Sequence, residues 1–189
     1  MGQGYDERRG KIGIGFLLIM ETTEEIINRV DGSGLITFNL EDYYPKGERI
    51  IIDLKDLLFE GLILREKDLR TFIKEHEWTK YQDNNVAINC SVDAVIPTWA
   101  YLLLTIALQP YAKKIVYGNI EQLETILFLE RLSQLDLDPF KDQRIVIKGC
   151  SNIKVPEAAY VEITRLLSPI AKSIMYGEPC STVPLMKRI

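Results

Sequence analysis

Cys90, Cys150 and Cys180 are the only cysteines in this 189-residue chain, and each is followed by serine. The first two occupy similar stretches, INCSVDAVIPTWAY over residues 88–101 and IKGCSNIKVPEAAY over 147–160, and the third opens CSTVP at 180–184. A thiolate is both a nucleophile and a soft metal ligand, so three of them define a narrow range of chemistry. As ligands they suit an iron–sulfur cluster with one iron left open, or a zinc ion completed by a different donor. Asp93 and Glu178, each close in sequence to a cysteine, are the expected oxygen donors. The Cys-x-x-Cys spacing of the common metal motifs is absent. His76, the one histidine, lies in a charged helical stretch and reads as a surface residue rather than a ligand.

Two other readings stand beside ligation. One cysteine could act as a nucleophile or persulfide carrier, with a helix N-terminus rather than a histidine activating it. Alternatively the cysteines pack as small hydrophobes and the serines cap helices. A phosphatase loop needs arginine at the sixth residue after the cysteine, and Ile96 and Pro156 stand there instead. No phosphate-binding loop or dinucleotide fingerprint is present, and no Ser-His-Asp set can be assembled around His76. Trp99 and Tyr101 are placed to wall a pocket beside the first Cys-Ser pair, or to pack in the core.

The elements that must position these residues are legible from residue 86 onward. VAINC (86–90), KKIVYG (113–118), RIVIKG (144–149) and KSIMYG (172–177) read as strands. Between them PTWAYLLLTIAL (97–108), NIEQLETILFLERLSQL (119–135) and PEAAYVEITRLL (156–167) read as helices, with Asn119 as an N-cap. Such alternation predicts a mainly parallel sheet joined by right-handed crossovers. Ligands bind such sheets outside the carboxyl ends of the strands, where all three cysteines would fall on one rim.

Pro97–Gly118 aligns without a gap against Pro156–Gly177, with 11 of 22 positions identical, so the chain contains a duplicated βαβ unit. The Cys-Ser pairs precede this block with one residue more in the first copy. The first repeated helix is apolar all round, which predicts a cover over its outer side: the N-terminal hairpin, or a second subunit in a homodimer.

Upstream, TTEEIINRV (22–30) opens with a capping pattern and predicts a short helix. LITFNL (35–40) and RIIIDL (49–54), separated by YPKG, predict an N-terminal β-hairpin. LREKDLRTFIKEHEW (64–78) spaces Leu69, Phe72 and Ile73 on one helix face. Residues 1–19 read as an N-terminal extension or an early start, with Ile12, Ile14 and Phe16 alternating as in a short strand; residues 20–189 read as a single α/β domain.

Composition sets the outer bounds. With 47% hydrophobic and 26% charged residues, the chain reads as an ordinary globular protein. A net charge of −4 and the absence of a basic block argue against a nucleic-acid partner. The longest apolar runs are too short to span a membrane, and three cysteines without disulfide density suggest reduced thiols in a cytoplasm.

The runs LITFNLEDYYPKGERIIIDLKDLLFEGLILREKDLR, SVDAVIPTWAYLLLTIALQPYAKKIVYG and IAKSIMYGEPCSTVPL resemble a small bacterial family, catalogued as a domain of unknown function, over about residues 22–187. The resemblance brings no activity. It implies a setting among iron–sulfur assembly proteins, and so favours metal binding. The placing of single cysteines on repeated α/β units also resembles quinolinate synthase, a longer enzyme with three such units; its catalytic assignment does not carry over to a chain with two.

Overall fold

The computed structural model describes the backbone of residues 28–30 and all of residues 34–149, 152–178 and 181–188. In chain order the elements are β1 (Asn28–Val30), β2 (Leu35–Phe38), β3 (Arg49–Asp53), α1 (Glu66–Glu75), β4 (Asn85–Asn89) and α2 (Thr98–Leu108). They continue with β5 (Lys114–Tyr117), α3 (Ile120–Ser133), β6 (Arg144–Lys148), α4 (Glu157–Leu167), β7 (Ser173–Glu178) and β8 (Ser181–Lys187).

The parallel strands form two sheets rather than one. The first has the order β3-β4-β5, all parallel. The second has the order β1-β2-β6-β7-β8, with β2, β6 and β7 parallel and an antiparallel strand at each edge. The domain is therefore α/β with a duplicated unit: β3-β4-α2-β5 in one copy, β2-β6-α4-β7 in the other.

The duplication runs further than its sequence identities. β4 begins at Asn85 and β6 at Arg144, α2 at Thr98 and α4 at Glu157, each pair 59 positions apart. Ahead of β4 and β6, Asp83 and Asp142 both take positive φ, 59° and 56°, and both amides bond across the unit, to Tyr111 and Ile170. The first strands match as well. β2 leads into a 3-10 turn at Leu40–Tyr43 whose Asn39 side chain accepts from the Glu41 amide. β3 leads into one at Leu54–Leu57 whose Asp53 side chain accepts from the Lys55 amide.

This corrects the expected hairpin. β2 and β3 do not pair with each other; each lies parallel to the central strand of its own unit. β3 carries a continuous III run, a habit of parallel strands, although its Ile51 is 44% exposed; β2 alternates, with Ile36 and Phe38 buried and Leu35 and Thr37 half-buried. An N-terminal hairpin does exist, but it is made by β1 and β2, with Val30 opposite Leu35. The helix expected over 22–30 ends instead in strand β1, and the rest of that stretch lies outside the described residues.

Helix α3 sits between the sheets. Leu123 and Leu127 pack with Ala87 and Val116 of the first sheet. Phe128 and Leu132 join Phe38, Ile145 and Ile147 of the second. Helix α2 presses Ala100, Leu104 and Leu108 onto Val86 and Ile88, and α4 presses Ala159, Ile163 and Leu167 onto the second sheet. Each large apolar side chain buried in this way contributes about 1.5–3 kcal/mol. The cover expected over α2 is not the hairpin, which belongs to the other sheet; Leu102 and Ile106 on its outer face are 59% and 69% exposed.

Candidate site at the carboxyl edges

Parallel pairing puts the carboxyl ends of β3, β4 and β5 at one edge, and those of β2, β6 and β7 at another. Both edges meet the first turn of α3. The chain passes from the end of β5 through Gly118 and Asn119 into that helix, where Asn119 and Gln122 form a reciprocal capping box at 2.8 and 2.9 Å. From the second sheet, Lys154 in the loop after β6 reaches Glu121 of the same turn at 2.8 Å. The first turn of α3 thus lies beside the loops of both units.

Each unit also ties its central loop, through a carboxylate, to the end of its first strand or the turn that follows it. In the first, Asp53 at the end of β3 accepts from the Ser91 hydroxyl at 2.6 Å and the Ser91 amide at 3.1 Å. Burial alone would raise the Asp53 carboxyl; hydrogen bonds from the Ser91 hydroxyl and the Lys55 and Ser91 amides, with the Lys55 charge, outweigh it and hold the group below the usual carboxylate range. In the second unit Glu41 accepts from the amides of Asn152 and Ile153. The Asn152 bond is the main reason its carboxyl is lowered, with burial opposing.

A cleft of about 840 Å³ opens on the first edge, lined by Cys90, Asp93, Thr98, Tyr101, Tyr117 and Gln122 among others. Cys90 is half-buried and packs against the core beneath α2. Asp93 is exposed on the same cleft. Tyr101 and Tyr117 meet edge to face, with centroids 5.0 Å apart. Burial, then the neighbouring Tyr117 and Cys90, push the Tyr101 hydroxyl above its ordinary value. The Oδ1 of Asn89, the residue before Cys90, is buried and has no hydrogen-bond partner among the described residues.

The second unit repeats the aromatic pair, Tyr160 with Tyr176 at 5.9 Å, but not the cysteine. The loops from Asn89 to Pro97 and from Lys148 to Pro156 are equally long, so position by position Cys90 matches Gly149 and Ser91 matches Cys150. At Gly149 a Cβ would lie 3.0 Å from the Tyr176 ring, so that aromatic side chain fills the place of the Cys90 side chain. The two Cys-Ser pairs are therefore one position out of step, and simple duplication does not account for them.

Cys150 and Cys180 lie outside the described residues, so the convergence of the three sulfurs expected from the sequence does too. The strand ends that lead to them are neighbours: Lys148 pairs with Gly177, and Glu178 pairs with Ser181. Glu178 is half-buried, and its Oε1 has no hydrogen-bond partner among the described residues. Asp93 lies in the loop after β4 of the first sheet and Glu178 at the end of β7 of the second.

Of the remaining sequence expectations, Ser91 bonds Asp53 rather than capping α2, whose first turn has no side-chain cap. His76 is half-buried, with Nε2 at 2.8 Å from the Tyr81 hydroxyl and its ring against Phe72 and Trp78. Tyr101 does wall the cleft, whereas Trp99 packs against the core. Sequence reasoning missed Asn89, Tyr117 and Asp53. The repeated IDL and FNL at 52–54 and 38–40 was a signal for the last of these.

A second cleft of about 640 Å³ lies on the other flank of the same α3 turn, lined by Tyr44, Glu121, Glu124, Lys154 and Glu157 among others. Its wall is braced by Arg49, whose Nε and Nη2 hold Glu124 at 2.6 and 3.1 Å.

A family model described as Protein of unknown function (DUF2480) matches residues 24–188. No curated protein and no solved structure matches the chain. Among the described residues no helix is long and apolar enough to cross a membrane.

Proposed function

The chain belongs to the family described as Protein of unknown function (DUF2480), and from the geometry of its carboxyl edges we propose that it is a binding protein for a metal ion or iron–sulfur cluster. Cys90, Cys150 and Cys180 would be its thiolate donors. The observation that carries this reading is the meeting of both units' carboxyl edges at the first turn of α3, with Lys154 bonded to Glu121. All three cysteines follow strand ends on these edges in the sequence. The out-of-step register of Cys90 and Cys150 adds support, because duplication alone would have kept them in step.

The donor chemistry fits. Thiolates select iron–sulfur clusters and zinc over hard cations. Glu178 offers a buried carboxylate oxygen with no hydrogen-bond partner among the described residues, and Asp93 an exposed one on the Cys90 cleft. When bound, a cluster with an open iron would supply a Lewis-acidic or transferable centre, and an accessory role in cluster assembly follows from that. The chain's own part is to hold Cys90 on a loop pinned by Asp53, with the Tyr101 hydroxyl on the same cleft.

The test is anaerobic purification followed by absorbance spectroscopy and analysis for iron, sulfide and zinc. A brown protein with iron and acid-labile sulfide, or a stoichiometric zinc content, that is lost in Cys180→Ala and in Cys90→Ala supports the reading. A colourless, metal-free protein after reconstitution with iron and sulfide and with zinc overturns it.

A second reading rests on the cleft itself. Cys90 lines a space of about 840 Å³, within the range of small-molecule sites, which favours a thiol-dependent enzyme or sulfur carrier. Selective alkylation of Cys90 by iodoacetamide at neutral pH, faster than a free thiol of ordinary pKa allows, would support it. Alkylation at the ordinary rate removes it.

A further inference from the structure

Two loops at the carboxyl edge of the first sheet are stitched into one rigid piece. The Phe59 amide donates to the Ile63 carbonyl at 2.8 Å, the Val95 amide to the Leu62 carbonyl at 2.9 Å, and the Leu64 amide to the Val95 carbonyl at 3.2 Å. Leu64 anchors the piece in the core. What it turns outward is apolar: Phe59, Leu62, Ile63, Val92 and Val95 are 40, 63, 41, 45 and 64% exposed. With roughly 150–250 Å² on a large side chain, these five leave on the order of 400–500 Å² open. That is the size of the largest apolar patch on a typical monomer, often a functional one. It also approaches the ~500 Å² per partner that the smallest convincing protein interface needs.

The second unit does not share this surface. At the positions equivalent to Val92 and Val95 it has Ser151 and Lys154, and Lys154 is spent on Glu121. The apolar edge is therefore not a by-product of the repeated fold.

The rim of the patch carries both signs of charge. Glu60 and Asp93 are exposed acids on the two loops, Glu60 close enough to Arg65 to feel its charge. Arg65 stacks over the Phe59 ring at 3.8 Å, bonded to Asp68 on one side, with its side chain 49% exposed. An apolar centre edged by an acid and a base suits a two-fold contact, which must be self-complementary: the base of one copy can meet the acid of the other.

We propose that this patch is the interface of a homodimer, formed by a second copy of the chain, with Arg65 of each protomer facing Asp93 of its partner. Backbone bonds already fix both loops, so docking costs little ordering. Val92 lies on the patch and also lines the Cys90 cleft, so the second copy stands at the mouth of that cleft. This inference does not depend on metal binding.

Sedimentation equilibrium of the full chain under reducing conditions, from about 1 to 100 μM, tests it. A dimer is expected, weakened at least tenfold by Val95→Asp and by Leu62→Asp and unaffected by Leu102→Asp on the outer face of α2. Arg65→Glu is expected to weaken it and Arg65→Glu with Asp93→Arg to restore it, a rescue that misfolding cannot imitate. Circular dichroism would confirm that each variant folds. A monomer at every concentration overturns the proposal, as does a dimer that survives Val95→Asp and is lost in Leu102→Asp.

Discussion

The Ser91 hydroxyl stands 2.6 Å from Oδ2 of Asp53, joining residues 38 positions apart at the edge where the candidate site lies. The bond holds the loop that begins at Cys90 against the end of β3. A charge-assisted hydrogen bond is worth more than a neutral one, but its exposure to water discounts it.

Ser91→Ala and Asp53→Asn should each cost about 1 kcal/mol. Because they share one bond, the double variant should cost clearly less than the sum. Urea denaturation of the four proteins measures the coupling; full additivity would show that the bond does not hold the loop.

Protonation of His76 should weaken the fold. Burial, then the Lys80 charge, lower its pKa below the ordinary 6.5. A base with a depressed folded pKa contributes stability that is fully present above the unfolded pKa and is lost as pH falls through the folded one. The melting temperature should therefore decline below about pH 6.5, and less steeply in His76→Phe, which keeps the ring packing against Phe72 and Trp78. Equal slopes for the two proteins would refute the assignment.

Gly118→Ala should destabilise the entrance to α3. Gly118 has φ +138°, and a Cβ there would collide with the Gln122 side chain that caps the helix. A cost of about 1–3 kcal/mol is expected from the strained backbone, with the capping box lost as well. Thermal unfolding checks the stability, and amide exchange at Asn119, whose N–H the Gln122 side chain accepts, checks the cap.

The helices and the central strands were legible because their apolar period and their bounding glycines and prolines are local properties. The Pro97 and Pro156 helix starts, the Asn119 cap and the repeat all follow from neighbours within a few positions. Whether parallel strands share one sheet is not local, and the split into two came from the double-sided burial of α3. The long apolar sequence of that helix hinted at this only weakly. The pairing of β2 with β6 joins residues more than 100 positions apart, while the nearby YPKG suggested a hairpin between β2 and β3. Strand β8 was missed because Pro184 sits within it, which an edge strand tolerates and a central one does not. In the candidate site Cys90 and Asp93 could be placed together because a single loop carries them, whereas Asp53 and Tyr117 reach the same edge only through strand pairing.

The order of the two units along the chain has a consequence for synthesis. The first unit, from Arg49 to Tyr117, is continuous, but the second is interrupted: β2 at Leu35–Phe38 must wait for β6, which begins at Arg144. On the ribosome the inner unit emerges whole and can close before its outer counterpart has all its parts. The strand β2 meanwhile carries an unpaired, apolar edge, the kind of surface that chaperones guard during translation. A pause in translation after residue 118 would lengthen that exposure, so the nascent chain is most vulnerable to aggregation between the completion of one sheet and the arrival of the strand that completes the other.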